Sequence, residues 1–156
     1  MLRLDAPDVA ATHAVAARLA ALLRPGDVVG LQGDLGAGKT TFVQGLARAL
    51  GVPSPVSSPT FTLLHEHAGG RLALFHGDAY RLAGPADLAD LGWDDILRAG
   101  GVAVIEWADR IADALPDERL DIQLAEADGG GRRITLMGRG ARWSELEARW
   151  GSAKPC

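Results

Sequence analysis

Apolar residues recur along this chain in two patterns, one with helical spacing and one in short uninterrupted runs. Residues 8–23 are rich in alanine and carry larger apolar side chains at helical spacing before a Pro-Gly stop at 25–26, which predicts an amphipathic helix. Val28–Gln32 and Val102–Trp107 are mostly apolar runs that are typical of buried strands. Thr40–Leu50 is predicted to form a second helix directly after a glycine-rich turn.

The rest of the chain repeats these patterns more weakly. Residues 52–60 are rich in proline and serine and predict a loop, and the glycines at 129–131 predict a hairpin turn. The further predicted strands are Phe61–His67, Arg71–His76, Leu120–Ala125 and Arg133–Met137, and the further predicted helices are Pro85–Leu91, Asp94–Arg98, Ile111–Leu115 and residues 142–150. Because buried strands lead into helices, we predict an α/β fold with a central, mainly parallel sheet flanked by helices and a C-terminal β-hairpin.

Length and composition limit the class of protein. The 156 residues favour a single domain over 1–156, with 150–156 as a frayed tail. The net charge of -4 makes the chain a poor candidate for binding nucleic acid by itself. The single cysteine, Cys156, excludes an intrachain disulfide, and no apolar run approaches the roughly 20 residues that span a bilayer. We therefore expect a cytoplasmic protein without a membrane partner.

The strongest chemical signal is the run from Gly33 to Thr40, which matches the phosphate-loop pattern GxxxxGK[ST] in full. Glycines allow backbone N–H groups to surround phosphate oxygens, and the helix that follows presents its positive end to the same anion. Lys39 would contact the β and γ phosphates, and the Thr40 hydroxyl would bind Mg²⁺. The loop residues predicted to bind the nucleotide are Asp34, Leu35, Gly36, Ala37 and Gly38.

Phosphate-loop enzymes also need an acidic residue at the end of a neighbouring strand. Glu106 follows four apolar residues and is the best candidate for this Mg²⁺ site, although a solvated strand-end glutamate is the alternative. Asp78 follows another strand and is a candidate for positioning the attacking water, with an ordinary turn aspartate as the alternative. Thr60 lies in a segment where nucleotide-sensing loops occur, with a polar surface loop as the alternative, and His76 is more typical of a structural residue.

Several segments together resemble one family. The strings GDLGAGKTTF at 33–42, SPTFTL at 58–63, HGDAYRL at 76–82 and VIEW at 104–107 are similar to those of the TsaE family, the small P-loop ATPases of bacterial tRNA threonylcarbamoyladenosine biosynthesis. The similarity runs over nearly the whole chain. The resemblance therefore implies a compact P-loop NTPase domain that uses ATP and Mg²⁺.

The resemblance also implies roles for individual residues. Lys39, Asp78 and Glu106 would be catalytic, and Thr40 and Glu106 would bind the metal. Thr60 would lie near the γ-phosphate, Trp107 beside the site, and Thr12 near the nucleotide base. Thr41, in the first turn of the helix, and Arg132, after the last glycine turn, would also contact the nucleotide.

The family's role would explain why no acceptor pocket stands out in so short a chain. The chain would hydrolyse ATP weakly alone and act with TsaD and TsaB to reset their complex between turnovers, reaching tRNA only through that complex. No N-K-x-D string occurs, which disfavours a GTPase. Two alternatives stay open: a small-molecule kinase of the P-loop class, and a nucleotide-dependent binding module without significant turnover.

Overall fold

The computed structural model describes residues 1–34, 36–53, 64–79, 95 and 98–152. Seven strands are present in this part of the chain, β1 (Leu2–Ala6), β2 (Val28–Gln32), β3 (Leu64–His67), β4 (Leu74–Asp78), β5 (Val102–Glu106), β6 (Arg119–Glu126) and β7 (Arg132–Arg139). The helical elements are α1 (Val9–Leu22), α2 (Lys39–Ala49), α3 (Leu146–Ser152) and two 3₁₀ segments, Ala108–Ala114 and Ala141–Trp143. None of the described helices has the length and apolar character needed to cross a bilayer.

The strands form one mixed sheet in the order β1-β7-β6-β2-β5-β4-β3. Its centre is parallel, because β2 pairs in parallel with β5 and β6, and β5 pairs in parallel with β4. The outer pairs β1–β7, β7–β6 and β3–β4 are antiparallel. The predicted α/β class is confirmed, but the sheet is mixed and not mainly parallel, since chain segments at both edges pair in the opposite sense.

Helices α1 and α2 pack on each other and cover one face of the sheet. Asp8 is the N-cap residue of α1. Its carboxylate accepts a hydrogen bond from the N–H of Ala11 at 2.8 Å and so satisfies a free donor of the first turn. Close approach of the two helices depends on Gly45, because a Cβ there would lie 2.9 Å from the Cβ of Ala16. The 3₁₀ segment Ala108–Ala114 packs on the opposite face with Val28 and Ile105.

The central elements match their predicted positions closely. The predicted helix over 8–23 is α1, the predicted helix over Thr40–Leu50 is α2, and β2 has the predicted bounds. The strand β1 was not predicted, and the segment predicted as a helix over Ile111–Leu115 is the end of a 3₁₀ segment. The predicted helix Pro85–Leu91 and most of Asp94–Arg98 lie outside the described residues, as do 54–60 of the predicted loop.

The predicted helix over 142–150 is divided into a 3₁₀ turn and α3. Trp150 on α3 is only 5% exposed, and its ring lies against the guanidinium of Arg18, which also donates a 2.6 Å hydrogen bond to the Trp150 carbonyl. Residues 150–152 are therefore helical and attached to α1, whereas they were expected to belong to a frayed tail. Residues 153–156 lie outside the described part.

A buried ion pair joins the end of the sheet to the helical layer. Two nitrogens of the Arg142 guanidinium donate hydrogen bonds to the Asp27 carboxylate. Nε lies 3.0 Å from Oδ1, and one terminal nitrogen lies 2.8 Å from Oδ2. The same terminal nitrogen donates to the carbonyl of Leu22 at 2.6 Å, which is a free acceptor at the end of α1. Arg142 thus links the residue before β2, the end of α1 and the C-terminal segment.

We expect Arg142→Ala to lower the free energy of unfolding by about 3 kcal/mol, because it leaves the Asp27 carboxylate buried without its cation. Urea denaturation followed by circular dichroism measures this change. Arg133→Ala is the matched control, since it removes an exposed contact to Asp5 at 3.5 Å and is expected to change stability by less than about 0.5 kcal/mol. Equal stability of the two variants would contradict the anchoring role of Arg142.

Candidate functional site

The parallel strands at the centre of the sheet end at the same edge, and this brings polar residues together. Leu31 of β2 is level with Glu106 of β5, and Glu106 is level with Asp78 of β4. Asp78 and Glu106 are the last residues of their strands and are both buried. In open α/β sheets ligands bind at this carboxyl edge, so the two carboxylates border the expected position of a site.

The loop after β2 leads around this edge into α2. Gly33, Gly36 and Gly38 have φ values of 150°, 82° and 102°, a region that favours glycine. A Cβ on Gly33 would lie 2.6 Å from the carbonyl oxygen of Leu124 in β6, so the loop also needs glycine for space. Gly38 is the residue before α2, and its carbonyl accepts the helical bond from Phe42 at 2.9 Å.

Lys39 is the first residue of α2 and is only 5% exposed. Its ammonium donates hydrogen bonds to the carbonyls of Gly33 at 2.6 Å and Asp34 at 3.0 Å. Burial lowers the pKa of Lys39, and this effect outweighs the opposing attraction of nearby carboxylates, of which Glu106 is the strongest and Asp34, Asp78 and Asp109 follow. The loop therefore holds a desolvated cation close to the acidic strand ends.

Trp107 follows Glu106 directly, and its ring lies beside the ammonium of Lys39. The Nζ atom of Lys39 lies 4.1 Å from the centre of the Trp107 ring, within the range of a cation–π interaction. Trp107 has a φ of 58°, and no other non-glycine residue of the described ranges has a positive φ. This left-handed backbone turns the chain from the end of β5 into the 3₁₀ segment that follows.

Glu106 has a buried partner in the neighbouring strand. Nε2 of His76 and Oε2 of Glu106 lie 2.5 Å apart, within hydrogen-bond distance, and the two side chains are 0% and 5% exposed. The carboxylate is thus held by β4 from one side, with Lys39 as a cationic neighbour. A buried ammonium and two carboxylates at strand ends form an arrangement that suits an anion carried together with a divalent cation.

Arg132, which is predicted to contact the nucleotide, contacts the backbone of the loop. Its Nε donates to the carbonyl of Ala37 at 3.0 Å, and one terminal nitrogen donates to the carbonyl of Gly36 at 3.1 Å. The first residue of β7 therefore supports the second half of the loop. Its contact with the nucleotide stays a prediction.

The other predicted residues fall into three groups. Thr40 and Thr41 lie half-buried in the first turn of α2, next to Lys39. Thr12 is buried in α1, where its N–H donates to the carbonyl of Asp8 at 3.1 Å, and no described contact brings it to the loop. Leu35 and Thr60 lie outside the described residues.

Sequence reasoning underrated two residues of this region. His76 was interpreted as structural, and only the pairing of β4 with β5 reveals its contact with Glu106. Asp109 was not singled out, but its charge acts on Lys39 from the 3₁₀ segment after Trp107. The spacing of His76 two residues before Asp78 was a usable signal, because alternate strand residues share one face.

We expect Arg132→Ala to loosen the loop, because two charge-assisted hydrogen bonds to its carbonyls are lost. Hydrogen–deuterium exchange should then become roughly tenfold faster or more at the amide of Ala37, which is bonded to the Asp34 carbonyl at 3.0 Å. Arg133→Ala, one residue further along β7, should leave exchange in the loop unchanged. Equal exchange rates in both variants would show that Arg132 does not support the loop.

Comparison with known proteins identifies the family. The family model described as "Threonylcarbamoyl adenosine biosynthesis protein TsaE" matches residues 6–134. Among similar proteins, the tRNA threonylcarbamoyladenosine biosynthesis protein TsaE of Bacillus subtilis (strain 168) is 45% identical over 135 residues, covering 86% of this chain and 84% of that protein. The protein of the same name from Treponema pallidum (strain Nichols) is 49% identical over 115 residues, covering 74% of this chain and 84% of that protein.

A solved structure gives the same result for the fold. The structure titled "Crystal structure of Bacillus subtilus YdiB" superposes with a TM-score of 0.84 at 38% sequence identity, covering 97% of this chain and 94% of that chain. Sequence and fold therefore agree over most of the chain, and the chain belongs to the TsaE family.

Proposed function

We propose that this chain is a Mg²⁺-dependent ATPase that serves tRNA threonylcarbamoyladenosine biosynthesis. The observation that carries the proposal is the buried ammonium of Lys39 at the start of α2, enclosed by a glycine-rich loop and facing two acidic strand ends. The pathway follows from the family and from the names of the relatives.

In this proposal the loop and α2 bind the phosphates of ATP. The N–H groups of the loop and of the first turn of α2 would hold phosphate oxygens, because they lie at the positive end of the helix. Lys39 would exchange the carbonyls of Gly33 and Asp34 for oxygens of the β and γ phosphates. Thr41 would support the α-phosphate side of the loop, and Thr12 and Thr60 would take the positions that the family resemblance implies.

The acidic strand ends would serve the metal and the water. The residues present fit a magnesium ion, because Glu106 offers a carboxylate oxygen that the described hydrogen bond to His76 does not use, and Thr40 offers a hydroxyl. Held there, Mg²⁺ would supply positive charge that neutralises the charge developing on the phosphates during the reaction. Asp78 would orient the water that attacks the γ-phosphorus, and ADP and inorganic phosphate would then leave.

The proposed partners are the TsaD and TsaB proteins, with hydrolysis resetting their complex between turnovers. The net charge of -4 supports an indirect route to tRNA, since a protein that grips nucleic acid alone needs many cationic contacts to phosphates. Slow turnover by the isolated chain is expected, because P-loop domains often gain a catalytic group or a competent conformation from a partner.

The primary test is Mg²⁺-dependent release of phosphate from ATP, measured for the chain alone and with added TsaB and TsaD. We expect slow release by the chain alone and a clear increase only when both partners are present. Release that ignores the partners would contradict the accessory role. Transfer of the phosphate to a metabolite, without partners, would instead support a small-molecule kinase.

A pair of variants separates nucleotide binding from hydrolysis. Lys39→Ala should weaken ATP binding by at least about tenfold, because it removes the cation from the loop. Glu106→Gln should retain ATP binding in the absence of Mg²⁺ but lose Mg²⁺-dependent hydrolysis, because the amide keeps the shape of the side chain without its charge. Isothermal titration calorimetry and phosphate release measure the two effects.

The matched control is Arg48→Ala, which removes an exposed cation from the last turn of the same helix. It should leave both binding and hydrolysis unchanged. Normal hydrolysis by Glu106→Gln would contradict the assignment of the metal to this carboxylate, and normal ATP binding by Lys39→Ala would contradict the position of the phosphates.

A further inference from the structure

The contact between His76 and Glu106 is buried between two paired strands and is not an exposed surface contact. The two atoms are 2.5 Å apart, and both side chains are almost completely buried. In the parallel register His76 is level with Val104. Glu106 lies two residues beyond Val104 and therefore on the same face of the sheet. The pairing of β4 with β5 therefore places the imidazole and the carboxylate on one face of the sheet, close enough to contact each other.

The chemistry of the pair defines what each atom does. A carboxylate that binds a metal is ionised and only accepts hydrogen bonds, so in that role Glu106 would take the shared hydrogen bond from Nε2 of His76. Nδ1 of His76 is buried and has no hydrogen-bond partner among the described residues. Among the described contacts, the imidazole therefore forms its hydrogen bond through Nε2, to Oε2 of Glu106. This hydrogen bond restricts the rotation of the carboxylate.

A carboxylate that binds a metal depends on such outer partners. Hydrogen bonds from a second layer of residues fix the orientation of metal ligands, and losing one typically weakens metal binding by about 10–100-fold. We propose that His76 is a positioning residue that holds the Glu106 carboxylate in the orientation needed to bind the divalent cation. This proposal rests on the proposed function, because it gives Glu106 the role of metal ligand.

The neighbouring histidine provides a control. His67 in β3 lies beside His76, with ring centres 6.3 Å apart, and it is buried on the same face of the sheet. Its described contacts are with the rings of His65 and His76, and no described contact joins it to Glu106. Burial lowers the pKa of His67, so replacing it with leucine removes a neutral ring.

The test compares His76→Leu, His76→Gln and His67→Leu with the unmodified chain. The affinity for ATP is measured by calorimetry in EDTA and over a series of Mg²⁺ concentrations, and thermal unfolding is recorded for each protein. We expect His76→Leu to raise the Mg²⁺ concentration needed for half-maximal ATP binding by about tenfold or more while the affinity in EDTA stays unchanged. His76→Gln, whose amide nitrogen can replace Nε2, should restore most of the Mg²⁺ dependence, and His67→Leu should behave as the unmodified chain.

A double variant tests whether His76 acts through Glu106. In a Glu106→Gln background, His76→Leu should have no further effect on the Mg²⁺ dependence, because effects transmitted through one group are not additive. If His76→Leu does not fold, His76→Asn replaces it, since its shorter amide is polar but does not reach Glu106.

The outcomes separate the two proposals. An unmodified chain that binds no ATP under either condition overturns the proposed function, and the role of His76 falls with it. ATP binding that depends on Mg²⁺ in the unmodified chain but is equally dependent in the His76→Leu or His76→Asn variant overturns only the role of His76. A parallel loss of affinity in EDTA and in Mg²⁺, without rescue by glutamine, also overturns it in favour of a purely structural residue.

Discussion

The parallel pairing of β2 with β5, and of β5 with β4, is the constraint on which the site depends. Backbone hydrogen bonds fix the register of these strands, and this register aligns Leu31, Glu106 and Asp78 at one edge. The loop and α2 begin at the same edge, so Lys39 lies near the acidic ends of the strands. A slip of one residue would turn Glu106 to the opposite face and dissolve the site.

The centre of this arrangement could be predicted from the sequence because its signals are local. A buried run, a glycine-rich turn and a helix occur in order, Glu106 ends an apolar run, and Asp78 closely follows a predicted strand. The edges of the sheet could not be predicted in the same way. Strand β1 pairs with β7, more than a hundred residues away, and its five residues alternate too briefly to distinguish a strand from an extended arm.

The supporting contacts of the site were hidden for a related reason. Arg132 reaches the loop only because β7 lies beside β6, whose Leu124 carbonyl lies close to Gly33. His76 reaches Glu106 only through the pairing of β4 with β5. Sequence patterns identify the residue types that chemistry requires, whereas tertiary pairing decides which neighbours orient them. The residues that touch a ligand are therefore easier to find than those that hold them in place.

The ring of Trp107 affects which contacts an incoming anion must replace at Lys39. An aromatic face stabilises an ammonium without cancelling its charge, whereas a carboxylate in the same position would form an ion pair that an incoming anion must break. Among the contacts that the structure describes, Lys39 lies on this face and on two neutral carbonyls, so an anion that reaches it would replace these contacts while the nearby carboxylates still act on its charge. The unusual backbone of Trp107, which costs on the order of 1 kcal/mol, thus accompanies an aromatic face that shelters a buried cation.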